Sequence, residues 1–132
     1  MPYASGSEQW GMDRVLLVDD DAEFADTVRE LVAAEFPAVE LLWAPGRDEA
    51  MALMAKHEFR LVLSDYRLEG KNGLDVLEEI EATYDRPHRV MVTAYPDFRI
   101  AMQAIRRGKV SYFLTKPLHV GEFSRVLAAS MA

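Results

Sequence analysis

Four short apolar runs in this chain end on residues that can do chemistry. Residues 15–18 run into Asp19-Asp20, 61–63 through Ser64 into Asp65, 90–92 into Thr93, and 110–114 through Thr115 into Lys116. Three carboxylates, a hydroxyl and an ammonium brought to one place form an uneasy set. Two like charges ~4 Å apart repel by ~1 kcal/mol in water and by ~4 kcal/mol at the dielectric of a protein surface. Lys116 offsets this only in part, and a hard divalent cation would relieve the rest. Carboxylate, carbonyl and water ligands suit Mg²⁺, which often works beside a phosphoryl group. An ammonium and a hydroxyl opposite the metal match the remaining oxygens of such a group. A carboxylate between metal and ammonium can then act as nucleophile and form an aspartyl phosphate. The residue types therefore point to Mg²⁺-dependent phosphoryl transfer to an aspartate.

To meet, these residues must sit on one edge of one scaffold. Short apolar runs bounded by turn formers, such as Gly70, Asn72 and Gly73 after Asp65, read as buried strands. Strands are expected at 14–18, 39–44, 61–64, 89–93 and 110–114. Helical spacing predicts helices between and after them. The first covers 22–35, with Phe24, Val28, Leu31 and Val32 inward and Pro37 as its stop. The second covers 47–57 after the Pro45-Gly46 turn, with Ala50, Leu53 and Met54 inward. The third begins near Gly73, carries Leu74, Leu77, Ile80 and Tyr84 inward, and is bounded by Pro87. Pro96-Asp97 opens the fourth, with Asp97 as N-cap, Ile100, Ala101, Ala104 and Ile105 inward, and Gly108 as C-cap. The fifth covers 119–130, with Phe123, Val126 and Leu127 inward. Glu40 marks the second strand as an edge strand. Five strands alternating with five helices through short connections mean α/β architecture, a parallel sheet covered on both faces. The fitting doubly wound arrangement is flavodoxin-like, strand order 2-1-3-4-5. Its switch point lies between strands one and three, and ligands bind outside the carboxyl ends of such strands.

Composition narrows the function classes. The 132 residues match one domain, with residues 1–12 as a flexible tail and 13–132 as the folded unit. Fifteen basic residues against 22 acidic ones, net -7, argue against direct contact with nucleic acid, whose phosphates need a basic face. There is no cysteine, which removes disulfides and thiolate-bound metal. The apolar runs fall far short of a membrane span, and no secretory signal pattern is visible, so a cytoplasmic protein without membrane contact is expected.

The pattern Val18-Asp19-Asp20-Asp21, Asp65 with Gly73 eight residues on, Thr93-Ala94, and Lys116-Pro117 resembles the receiver domain of two-component response regulators. The resemblance covers about 13–131. It implies that Asp65 is the phospho-acceptor. It further implies that Asp20 binds Mg²⁺ directly, Asp19 mostly through water, and the backbone carbonyl of Arg67 as a further ligand. Lys116 would pair with the phosphoryl group, Thr93 would hydrogen-bond it and move inward, and Phe113 would be the switch aromatic. The bond from Lys116 to Pro117 is commonly cis in the family. A histidine kinase or phosphotransfer protein would be the donor. The face of helix four, strand five and helix five would meet an output domain or downstream protein, and a homodimer is compatible with the family. Such a domain is a signalling phospho-acceptor, not an enzyme beyond its own phosphorylation and dephosphorylation. The chain departs from the family at Glu69, where proline is usual, at Lys71, where methionine is frequent, and at Phe113, which lacks the tyrosine hydroxyl. Arg67 and Tyr95 would flank the path of hydrolytic water and slow the loss of the phosphoryl group.

Blander readings apply elsewhere. Asp21 is expected to cap the first helix. His57, His88 and His119 have no metal-ligand spacing and read as surface residues. Arg99, Arg106, Arg107 and Lys109 read as a solvated face. Two rivals share part of the chemistry. A haloacid-dehalogenase-type phosphatase would also use Mg²⁺ and an aspartyl phosphate, but its nucleophile sits on the first strand with a second aspartate two residues on. Asp19-Asp20-Asp21-Ala22 lacks the hydroxyl residue of that pattern, and turnover of a generic phosphate ester would decide for it. A flavin-carrying electron carrier needs a hydroxyl-rich phosphate loop that is missing here, and a colourless protein removes it.

Overall fold

The computed structural model of the chain describes residues 13–84, 86–94, 98–107 and 110–131, with only the backbone described for Lys71, Phe98 and Ile100. The expectations for residues 1–12, Tyr95, Pro96, Asp97, Gly108 and Lys109 lie outside the described residues. The elements are β1 (Asp13–Val18), α1 (Ala22–Glu35), β2 (Val39–Ala44), α2 (Arg47–Lys56), β3 (Leu61–Asp65), α3 (Gly73–Thr83), β4 (His88–Thr93), α4 (Phe98–Arg107), β5 (Tyr112–Thr115) and α5 (Val120–Met131).

All five strands form one parallel sheet in the order β2-β1-β3-β4-β5, as the alternation predicts. The inner stretches of the central strands, residues 15–18, 61–63 and 90–92, are apolar on consecutive residues because successive side chains point to opposite covered faces. Val15 and Leu17 of β1 join the core against α1 and α5, while Leu16 and Val18 join the core under α2, α3 and α4. β2 is an edge strand, and its Glu40 takes a 2.7 Å ion pair from Arg14 of β1. Among the described residues, no helix is long and apolar enough to cross a membrane.

The structure corrects several details. β5 begins at Tyr112 rather than residue 110, since its ladder with β4 opens at Val90↔Tyr112. α5 begins at Val120, because His119 contributes only the carbonyl that accepts from the Phe123 amide. A two-residue antiparallel ladder, Arg67–Leu68 against Lys71–Asn72, was not expected between β3 and α3. Gly70 turns it at φ +78°, a left-handed conformation that glycine adopts without strain. Two residues a side leave no periodic signal to read. Ile105 does not face inward. It is 57% exposed, while Ala104 is fully buried. Adjacent helical residues stand about 100° apart, so seating Ala104 on the sheet side turns Ile105 to solvent.

Candidate functional site

The carboxyl edge of the sheet gathers the expected residues because each ends or follows a strand. Asp65 is the last residue of β3 and Thr93 of β4, while Asp19 follows β1 and Lys116 follows β5. Asp19 is fully buried and held at four points. Its amide donates to Ala44 O at 3.1 Å, and its carbonyl accepts from Trp43 Nε1 at 2.6 Å. Its Oδ1 accepts from the Asp21 amide at 2.9 Å, and its Oδ2 from Lys116 Nζ at 2.8 Å. Asp21 caps α1 as expected, its Oδ1 accepting from the amides of Glu23 and Phe24. Asp20 is exposed beside this pair.

Asp65 lies opposite. Its Oδ2 accepts from Lys116 Nζ at 3.3 Å, and among the described residues its Oδ1 has only a long 3.4 Å contact from the Arg67 amide. Gly73 is what lets α3 begin so close to β3. A Cβ built there would lie 1.8 Å from Asp65 O and 2.7 Å from Ser64 Oγ. Lys116 spans the two carboxylates, its amide donates to Thr93 O at 2.9 Å, and its bond to Pro117 is cis. Thr93 is buried at the end of β4. Phe113 is half-buried and packs against the core under α2, α3 and α4. Arg67 has an exposed side chain.

Charge balance follows from this packing. Burial raises the Asp19 carboxyl above the ordinary aspartate value, and the Asp65 charge adds to the rise, against the Lys116 hydrogen bond and the Asp21 amide. Burial pulls on Lys116 in the opposite sense, but its bonds and attraction to Asp19 and Asp65 outweigh that and leave its pKa raised. The Lys116 ammonium thus serves two of the three clustered carboxylates, Asp19 and Asp65. Oxygens of Asp19, Asp20 and Asp65 all lie within 4.8 Å of one another. Adjacent ligands of an octahedral Mg²⁺ at 2.0–2.1 Å stand about 2.9 Å apart and opposite ones about 4.2 Å, so this all-oxygen donor set suits a hard divalent cation once the carboxylates close on it or reach it through its waters.

The structure therefore brings Asp19, Asp20, Asp65 and Lys116 together, places Thr93 at the neighbouring strand end, and packs Phe113 against the core. Two residues at the site carry no sequence signal for it. Trp43 reads as part of an apolar edge strand, yet its indole bonds the Asp19 carbonyl. Phe24 reads as part of the α1 core stripe, yet its ring lies under Lys116 Nζ, 4.1 Å from the ring centroid. At the other end of α4, Arg107 is more than a solvated cation. It bonds Asp75 at 2.6 Å and Glu78 at 2.8 Å, tying α4 to α3, and these carboxylates raise its pKa, Glu78 foremost.

Residues 15–128 match the family model described as response regulator receiver domain. Over 120 residues the chain is 32% identical to the response regulator protein PilR of Pseudomonas aeruginosa, covering 89% of this chain and 26% of that protein. It is 36% identical over 111 residues to the alginate biosynthesis transcriptional regulatory protein AlgB of the same species, covering 84% of this chain and 24% of the relative. The chain thus spans about a quarter of the length of these relatives. Among solved structures, the signal receiver domain of an HD domain-containing protein from Pseudomonas fluorescens superposes with a TM-score of 0.85 at 26% identity, covering 91% of this chain and 94% of that one. The response regulator TrrA of Thermotoga maritima, solved in complex with Mg²⁺-BeF, shares the fold with a TM-score of 0.79 at 23% identity, covering 90% and 99%. The phosphatase alternative finds no support among these likenesses.

Proposed function

Because this chain belongs to the response regulator receiver domain family, we propose that Asp65 is its phospho-acceptor and that a histidine kinase or phosphotransfer protein supplies the phosphoryl group. Receiver domains of this family are signalling phospho-acceptors of two-component systems, not turnover enzymes. One observation carries the choice of Asp65. Both carboxylate oxygens of Asp19 are engaged, and its side chain is 0% exposed. Asp65 is 12% exposed, touches Lys116 through Oδ2, and among the described residues engages Oδ1 only through the long contact from the Arg67 amide. Asp65 is thus both reachable and paired with the ammonium.

In this reading Asp65 Oδ1 attacks phosphorus in line with the leaving atom. The phosphorus–oxygen bond to Asp65 forms as the bond to the donor's histidine nitrogen breaks, and that nitrogen departs with the electron pair. Asp19, Asp20, Asp65 and the Arg67 carbonyl would hold Mg²⁺, whose charge, when bound, neutralises the phosphoryl oxygens. Lys116 pairs with one of those oxygens and Thr93 hydrogen-bonds another. The adduct adds about -1.5 to -2 of charge. That charge draws Thr93 and Lys116 toward it and shifts the face of α4, β5 and α5, with burial of the Phe113 ring accompanying the shift. An output domain or downstream protein, or a second copy of the chain, would read that face. The length of the relatives supports a receiver that is one module of a longer regulator.

The test is incubation with acetyl phosphate and Mg²⁺ followed by intact mass. Wild type should gain one phosphoryl group, and Asp65→Asn, nearly the same shape but not a nucleophile, should gain none while keeping its fold. An adduct persisting on the Asn variant would move the acceptor elsewhere.

A further inference from the structure

We infer that Phe24 is a positioning residue for Lys116, holding the ammonium between Asp19 and Asp65 by the face of its ring. The inference rests on the reading of Asp65 as acceptor and adds a residue that the motif at the strand ends does not contain.

A closed circuit of contacts motivates it. The Asp19 carboxylate accepts from the Asp21 amide at 2.9 Å. The Asp21 carboxylate accepts from the Phe24 amide at 3.2 Å. The Phe24 ring centroid lies 4.1 Å from Lys116 Nζ. Lys116 Nζ returns to Asp19 Oδ2 at 2.8 Å and reaches Asp65 Oδ2 at 3.3 Å. The first turn of α1, fixed by its cap, thereby sets where the ammonium of a residue 92 positions later can stand.

The chemistry of the ring matters. An aromatic face attracts a cation through its quadrupole, more strongly where the contact is desolvated. The Lys116 side chain is only 13% exposed. A third carboxylate in the place of the ring would also hold the ammonium, but it would cancel the charge that the incoming phosphoryl group needs. A neutral ring constrains the position and leaves the charge intact. Small misplacements of a reacting or charge-stabilising group cost rate steeply.

Phe24 also packs against the core shared by α1 and α5, so the experiment must separate ring face from bulk. Phe24→Leu keeps an apolar side chain and loses the face, whereas Phe24→Tyr keeps the face. The first readout is the initial rate of phosphoryl adduct formation from acetyl phosphate, measured well below the melting temperature. Phe24→Leu should be about fivefold slower, the loss of roughly 1 kcal/mol of ring–ammonium attraction at 1.36 kcal/mol per tenfold. Phe24→Tyr should match wild type. The second readout is the spectrum of metal-free protein carrying ¹³C-lysine, whose only lysines are at 56, 71, 109 and 116. The Lys116 ε-methylene protons, assigned with Lys116→Arg, should be shifted upfield by the ring in wild type and Phe24→Tyr, and not in Phe24→Leu. Equal rates in wild type and Phe24→Leu, or equal slowing in Leu and Tyr, would overturn the inference. So would the absence of an upfield Lys116 resonance in wild type, which decides the matter even if the Leu variant does not fold. If wild type itself takes no phosphoryl group, the reading of Asp65 falls, and the lysine spectrum still reports separately whether Phe24 holds Lys116.

Discussion

Replacing Gly73 with alanine tests how closely α3 is pressed against the end of β3. Gly73 is the first residue of α3, its amide donates to Tyr66 O at 2.6 Å, and its φ does not lie in the left-handed region. On local grounds alone the substitution should stabilise, because alanine exceeds glycine in helix propensity by about 1 kcal/mol. The tertiary contact opposes this. The new Cβ would stand 1.8 Å from Asp65 O, where ordinary contact begins at 3.4 Å. Asp65 cannot simply yield, since it is in register with Val92 of β4. Either the start of α3 or the end of β3 must move, and overpacking of this kind costs about 1–3 kcal/mol, occasionally more. We expect a net loss of about 2 kcal/mol, which for a domain of this size lowers the melting temperature by roughly 8 °C. Because the displaced atoms belong to Asp65, the stabilisation given by millimolar Mg²⁺ should shrink as well. Thermal melts with and without Mg²⁺ measure both effects. A Gly73→Ala variant melting at or above wild type would show that the close approach is absent and would refute the reasoning.

Other outcomes follow from the same geometry. Mg²⁺ should raise the melting temperature of wild type, by the equivalent of about 2.7 kcal/mol at 100 times its dissociation constant, and Asp20→Ala should abolish most of the shift; a melt indifferent to Mg²⁺ would remove the metal site. The shift should also depend on pH. Burial raises the Asp19 carboxyl above its ordinary value, so it takes up its proton earlier than a free aspartate as pH falls. The metal-free protein therefore gains stability from this group on acidification through that pKa, while the metal loses a ligand. The Mg²⁺-dependent shift should be full at neutral pH and shrink on acidification, and a shift that stays constant to pH 4 would contradict this. On α4, Ile105→Ser should change stability by no more than about 0.5 kcal/mol because the side chain is exposed, and chemical denaturation of that variant checks the orientation of α4; Leu77→Ala, in the core face of α3, should by contrast cost about 2–5 kcal/mol.

Much of this protein is determined by local pattern. Runs such as Leu61, Val62 and Leu63 are short, apolar on consecutive residues and bounded by turn formers, as a strand covered on both faces requires, and the helical stripes between them leave a parallel sheet as the arrangement that buries both. Once the order β2-β1-β3-β4-β5 follows, Asp19, Asp65, Thr93 and Lys116 must arrive at one edge, because each stands at the carboxyl end of its strand. The cap at Asp21 is legible for the same reason, since it depends on backbone amides two and three residues away. What the tertiary structure decided depends on partners distant along the chain. Lys116 bonds Asp19 and Asp65 across separations of 97 and 51 residues. Their relative distances leave Asp65 reachable and Asp19 sealed, a distinction that two identical side chains cannot announce. Periodicity assigns Phe24 and Trp43 to apolar surfaces but does not say that one ring meets an ammonium and the other indole meets a carbonyl. It also leaves the rotation of α4 undetermined among Ala104 and Ile105, because both are apolar and adjacent. Packing against the sheet, where the small side chain permits closer approach, seated Ala104 and turned Ile105 outward.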